Sequence, residues 1–155
     1  MEDTRQQRME QEIRESMERL YPKDPEHLYS KMQVEFYSCN YEKKSVTLRF
    51  PIQRWELNHM ATMHGGMTAA AIDTTCGVIV RYVSRRQMIP TINLNINYLG
   101  PGMAQDALLI TAKADRVGHR ICNVHAECRS QKTGKLLATA TANFMILEES
   151  AKKVL

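Results

Sequence analysis

The sequence predicts an α+β fold in which an antiparallel sheet wraps one long buried helix. Three observations carry that reading. From residue 65 to about residue 82 the chain is apolar on nearly every helical side, as a buried helix must be. The stretch "TINLNINYL" then alternates, with Ile92, Leu94, Ile96 and Tyr98 on one face and Thr91, Asn93, Asn95 and Asn97 on the other. Three long strand-like runs follow, over 107–117, 119–130 and 135–147, joined by tight turns at Gly118 and "QKTGK". Strands, one buried helix and a closing meander together make an antiparallel α+β domain.

The remaining elements are read in order. Met9, Ile13, Met17 and Leu20 recur at helical spacing among charges, which predicts an amphipathic N-terminal helix packed on the domain. Its polar face mixes acids with bases, unlike a membrane-surface helix. "YPKDPEH" ends it with two prolines. Residues 32–38 and 45–50 read as short strands and 51–63 as a loop, while Arg85 and Arg86 stand near the negative dipole end of the central helix. The predicted organisation is an N-terminal helix and linker over 1–30 and the α+β domain over 31–155.

Composition narrows the function classes. With 155 residues, 43% hydrophobic and 25% charged, the chain is an ordinary globular protein able to bury its own core. A net charge of +4, without a dense Lys/Arg stripe interleaved with aromatics, favours small anionic ligands over nucleic acid. Cys39, Cys76, Cys122 and Cys128 form no CxxC pair, which predicts a reducing compartment. The charged N-terminal stretch is no signal peptide, and no apolar run reaches membrane-spanning length, so the expected location is cytoplasmic with no membrane partner.

The chemistry concentrates in "HGGMTAAAID". Gly65 and Gly66 open a helix where backbone N–H groups are unpaired and the dipole is positive, a place that attracts an anion or a carbonyl oxygen becoming one. His64 beside them can cap the helix or orient a bound group. Asp73 is an acid among alanines and isoleucine with no base one turn away, so desolvation suits it to act as base or nucleophile, or to pair with an arginine from elsewhere. Gly65 and Asp73 are eight residues apart on one helix, hence ~12 Å along its axis at ~1.5 Å per residue. An oxyanion donor and a base must both lie within about 3 Å of one reacting centre. If both serve one site, the acid comes from a second copy of the helix across a two-fold axis, and the site occurs twice in a homodimer.

Asn58, then His64-Gly65-Gly66, then Asp73, followed by the alternating strand, resembles the hotdog-fold thioesterases of the phenylacetate-pathway (PaaI-like) group over roughly residues 34–147. The resemblance implies hydrolysis of an acyl-coenzyme A thioester in a homodimer, often doubled to a tetramer, with no metal and no redox cofactor. It implies that Gly65 offers its N–H to the thioester oxygen and that His64 orients or polarises that group. Asn58 would position the attacking water or its loop, Asp73 of the second copy would be base or nucleophile, and Thr91 would supply an assisting hydroxyl. Ala61 stands where many members have glycine, and Thr91 where serine is familiar. A non-catalytic acyl-CoA sensor, a hotdog dehydratase and a structural protein with a vestigial site are the alternatives.

Other residues are read more plainly. Cys122 and Cys128 share one strand face while His125 points to the other, so they cannot converge on a metal. Arg116 and Arg120 in "RVGHR", with Arg85, Arg86 and Lys132, are candidates for coenzyme A phosphates, or else a solvated basic rim. Met60, Met63 and Met67 suit a forgiving acyl pocket or an ordinary core.

Overall fold

Strands of alternating burial build one six-stranded, fully antiparallel sheet in the computed structural model, which describes residues 4–148. In chain order the elements are α1 (Thr4–Leu20), α2 (Leu28–Lys31), β1 (Glu35–Asn40), β2 (Ser45–Pro51), a 3-10 turn (Arg54–Glu56), α3 (Gly65–Ser84), β3 (Thr91–Tyr98), β4 (Ala107–Val117), β5 (Ile121–Ser130) and β6 (Leu136–Met145). The strand order is β1-β2-β4-β5-β6-β3, so the chain leaves the sheet after β2, runs through α3 and returns at the opposite edge. The α+β class read from the sequence is the class observed. The final seven residues of the expected 31–155 domain lie outside the described residues.

The sheet is built to receive α3. Val46, Ala112, Ala126 and Ala140 stand in register across β2, β4, β5 and β6, all buried. Three alanines in a row leave a trough where larger side chains would hold the helix away. Bulkier residues flank it: Leu48, Phe50, Leu108 and Ile110 towards one end, Phe144 towards the other. α3 lays Thr68, Ala71, Ile72, Thr75, Cys76 and Ile79 into that trough, at the three- and four-residue spacing of one helix face. The buried Thr75 hydroxyl donates to the Ala71 carbonyl at 2.9 Å, so it enters the core satisfied.

α1 closes one edge. Met9, Ile13 and Met17 are buried in the same core cluster as the sheet residues. Gln6 reaches the β1 edge, donating to the Cys39 carbonyl at 2.9 Å and accepting from the Tyr41 N–H at 2.8 Å. Arg14 lies 4.1 Å over the Phe36 ring. β1 is thus a capped edge strand. β3, at the other edge, pairs only with β6 among the described residues and leaves Ile92 and Tyr98 about half exposed.

Two local readings are corrected. The strand expected from residue 32 begins at Glu35, because Leu28–Lys31 forms a helical turn and Gln33 takes a positive φ of 51° that bends the chain first. The expected loop over 51–63 contains the 3-10 turn, whose Glu56 carboxylate reaches back to the Gln53 N–H at 2.8 Å.

Candidate active site at the start of α3

The loop before α3 is organised by Asn58. Its Oδ1 accepts from the Met60 and Thr62 N–H groups at 2.9 and 3.2 Å, and its amide donates to Thr62 Oγ1 at 3.1 Å. The backbone closes the same turn, with Asn58 N–H to the Thr62 carbonyl at 2.8 Å. Asn58 therefore spends its side chain on loop shape, and Thr62, which the sequence reading passed over, is its partner. Ala61 sits at φ 57°, the left-handed region that glycine occupies without strain. The glycine expected at this position has a conformational reason.

His64 is the N-cap of α3. Its Nδ1 accepts from the Gly66 N–H at 2.9 Å, which in the neutral ring leaves the proton on Nε2. The His64 carbonyl receives the Met67 and Thr68 N–H groups. Of the two glycine amides expected to be open, Gly66 is used by the cap. Gly65 N–H has no acceptor among the described residues, and it points from the positive end of a 20-residue helix.

Behind Gly65 stands Tyr98, for which the sequence predicts only a place on one face of a strand. Its hydroxyl donates to the Gly65 carbonyl at 2.6 Å, and a Cβ on Gly65 would meet the ring at 3.4 Å. Burial pushes the phenol up from its usual range, keeping it a donor. Tyr98, Met63, Thr68, Leu108, Cys128 and Leu137 wall a largely apolar cavity of about 200 Å³ beside Gly65. The alternation of β3 was the available signal for Tyr98, since its phase aims this side chain at the helix.

Asp73 lies half-buried about two turns further along α3 and is not ion-paired among the described residues. Thr91 Oγ1 donates to Asp73 Oδ1 at 2.8 Å. Strict alternation puts Thr91 on the outer face with Asn93, Asn95 and Asn97; that face assignment is corrected. A bulge between Thr91 and Asn93 inserts an extra residue opposite β6, so Thr91 pairs with Phe144 while Asn93 pairs with Asn143. Phe144 is inward and buried, and Thr91 is turned with it towards α3.

The two halves of the expected site stay apart in one chain: Gly65 is beside Tyr98, at one end of β3, and Asp73 beside Thr91, at the other. Arg116 and Arg120 flank the β4–β5 turn, at the Thr91 end, because Val117, Cys122, Phe144 and Thr91 form one row across the sheet. Arg85 is engaged elsewhere, paired with Glu12 and lying 4.6 Å over Tyr82. Arg86 is exposed just beyond α3. Cys122 and Cys128 face the core, and His125 faces outward, its Nδ1 2.8 Å from Asp115. Among the described residues no helix is long and apolar enough to cross a membrane.

Known proteins resemble this chain in sequence and fold. Residues 60–137, half of the chain, match the model of the thioesterase superfamily. Mouse acyl-coenzyme A thioesterase 13 is 25% identical over 87 residues, which are 56% of this chain and 62% of that protein. The chain spans less than two thirds of the length of each curated relative it matches. The E. coli PaaI protein of the phenylacetic acid degradation operon superposes with a TM-score of 0.77 at 17% identity, over 90% of this chain and 96% of that one. A Streptococcus mutans protein solved bound to acetyl CoA superposes with a TM-score of 0.65 at 24% identity, over 74% and 88%. These likenesses give the fold its name, the hotdog fold.

Proposed function

The chain belongs to the thioesterase superfamily, and from that premise we propose that it hydrolyses an acyl-coenzyme A thioester to the free acid and coenzyme A. The observation that carries the reading is the pairing of an open Gly65 N–H at a helix N-terminus with an acid, Asp73, held on the same helix by Thr91. About 12 Å of helix separates the two, so one reacting centre draws them from two copies. The β3 edge, unpaired among the described residues and with Ile92 and Tyr98 half exposed, supports a homodimer in which the sheets continue across the two-fold axis. The acetyl CoA seen with the Streptococcus mutans relative supports the substrate class.

In this reading the thioester oxygen accepts from Gly65 N–H, where the α3 dipole stabilises the negative charge that develops on it. His64 Nε2–H is available to the same oxygen or to the substrate beside it. Asp73 of the second copy takes a proton from water as the water oxygen bonds to the carbonyl carbon; the carbon–sulfur bond then breaks and the thiolate leaves with a proton. Thr91 fixes the carboxylate through Oδ1 and leaves Oδ2 for the water. Asn58 holds the loop that brings His64 to the helix start. Arg116 and Arg120 are assigned to the coenzyme A phosphates.

The test is a panel of acyl-CoAs incubated with the purified protein and a thiol-trapping dye. Free thiol should appear with wild type and vanish with Asp73→Asn. Tight binding of acyl-CoA without thiol release would instead make the protein a sensor and sink the enzymatic reading. A fully active monomer at high dilution would sink the shared site.

A further inference from the structure

A second cavity, of about 280 Å³, lies between α1 and the C-terminal half of α3. Arg81 is sixteen residues from Gly65 and eight from Asp73 on the same helix, so the cavity is ~24 Å along the axis from the first and ~12 Å from the second. Its apolar wall is Ile13, Met17, Leu20 and Val78. Two polar groups, Tyr21 and Arg81, line it. The Tyr21 hydroxyl is buried, its proton has no acceptor among the described residues, and its ring is stacked on Tyr29 at 4.2 Å, which stops it swinging to solvent. The half-buried Arg81 has no ion pair among the described residues, and it acts on Tyr21 both by its charge and as a hydrogen-bond donor to the phenol oxygen.

The protonation state makes the arrangement one-sided. Burial pushes the Tyr21 phenol up to about 12, against the lowering influence of Arg81, so at neutral pH it is a donor. A guanidinium cannot accept. The phenol oxygen can receive one guanidinium N–H, which leaves the phenol proton without an acceptor among the described residues and Arg81 without a counter-charge, an arrangement that costs free energy in a partly desolvated hole. The charge around them is also one-sided. Arg85 and Glu12 are paired with each other, which leaves Arg19 and Arg81 opposite Glu15.

We propose that this cavity binds a small carboxylic acid, its two oxygens received by Arg81 and Tyr21 and its apolar body lying on Ile13, Met17, Leu20 and Val78. A carboxylate offers two acceptor oxygens on a planar group, which matches a guanidinium and one hydroxyl. Inorganic phosphate fits less well, because the apolar wall would strip water from a dianion and return nothing. At ~30 Å³ per water the cavity is the space of about nine waters, room for a ligand of about ten non-hydrogen atoms. The assignment does not depend on the thioesterase reading.

Octanoate titrated calorimetrically into the intact protein tests it, beside octanol and inorganic phosphate. Octanoate should bind once per chain and raise Tm in proportion to its saturation. Arg81→Met should weaken it roughly tenfold or more, Tyr21→Phe several-fold, and Asp73→Asn should leave it unchanged. Tyr21→Phe keeps the ring and its stack, so it decides the matter if Arg81→Met fails to fold. Equal binding of octanol or phosphate, no octanoate binding at millimolar concentration, or full affinity in both variants would each overturn the site. Binding lost in Asp73→Asn but kept in Arg81→Met would move the ligand to the active site and overturn it as well.

Discussion

Thr91 reaches Asp73 at 2.8 Å only because β3 carries a bulge at its first turn of pairing. Without the extra residue the hydroxyl would stand on the outer face, and the acid on α3 would have no donor from the sheet. The bulge converts an edge strand into a positioning element for one carboxylate.

That relationship predicts a graded series at position 91. Thr91→Ser keeps the hydroxyl and should retain most thioesterase activity. Thr91→Val keeps the shape without the donor and should lower kcat about tenfold, the cost of one lost hydrogen bond to a charged group. Asp73→Asn should lower it by about a hundredfold to ten-thousandfold. Equal activity in Thr91→Val and wild type would show that the hydroxyl does not orient the acid.

Tyr98 holds the other end of the site through the Gly65 carbonyl. Tyr98→Phe should cost about 1 kcal/mol of stability, read as a lowered urea midpoint. It should also lower kcat/KM, since the Gly65–Gly66 peptide, which follows directly on the oxyanion N–H of Gly65, then loses its anchor. Gly65→Ala brings a methyl to 3.4 Å from the Tyr98 ring and should harm activity more than stability. A Tyr98→Phe variant with unchanged kinetics would reduce the tyrosine to a wall of the cavity.

Glu56 gives a pH signature. It is 1% exposed, and its Oε1 has no hydrogen-bond partner among the described residues. Burial raises its carboxyl above the ordinary 4.5. A raised acid holds its proton longer in the folded state than in the unfolded one. Its contribution is thus most favourable below the unfolded value and is lost as pH climbs through the folded one. Glu56→Gln should be relatively more stable than wild type at pH 8 than at pH 4, by thermal unfolding. A constant difference across that range would refute the linkage.

The alanine trough predicts the price of contact between layers. Ala126→Leu puts three extra carbons under α3, where Ala112 and Ala140 flank it in register. It should destabilise by about 1–3 kcal/mol and lower activity with it, because lifting α3 moves Gly65 and Asp73 together. Tm and thiol release should fall in parallel; a stable, inactive Ala126→Leu protein would separate packing from site geometry.

Much of this was legible from local pattern. Periodicity of 3.6 and of 2 reports which face is buried, so α1, α3 and the β4–β6 meander were readable with bounds close to those observed. The acid inside "AAAID" and the glycine pair were visible because each violates the composition around it. Other features depended on neighbours distant in sequence. A bulge is set by the strand opposite, so nothing within "TINLNINYL" announces that Thr91 changes face. Tyr98 meets Gly65 from 33 residues away. Tyr21 and Arg81 find each other only when α1 lies down on α3.

The sequence alone determined the fold class, the identity of the odd acid and the helix start, because these follow from side-chain polarity taken along one element at a time. Only the tertiary structure decided which amide remains open, which hydroxyl holds Asp73 and where donors are left without acceptors. Hydrogen bonds and cavities are properties of groups brought within a few ångströms of each other, and that proximity is settled by how the layers pack.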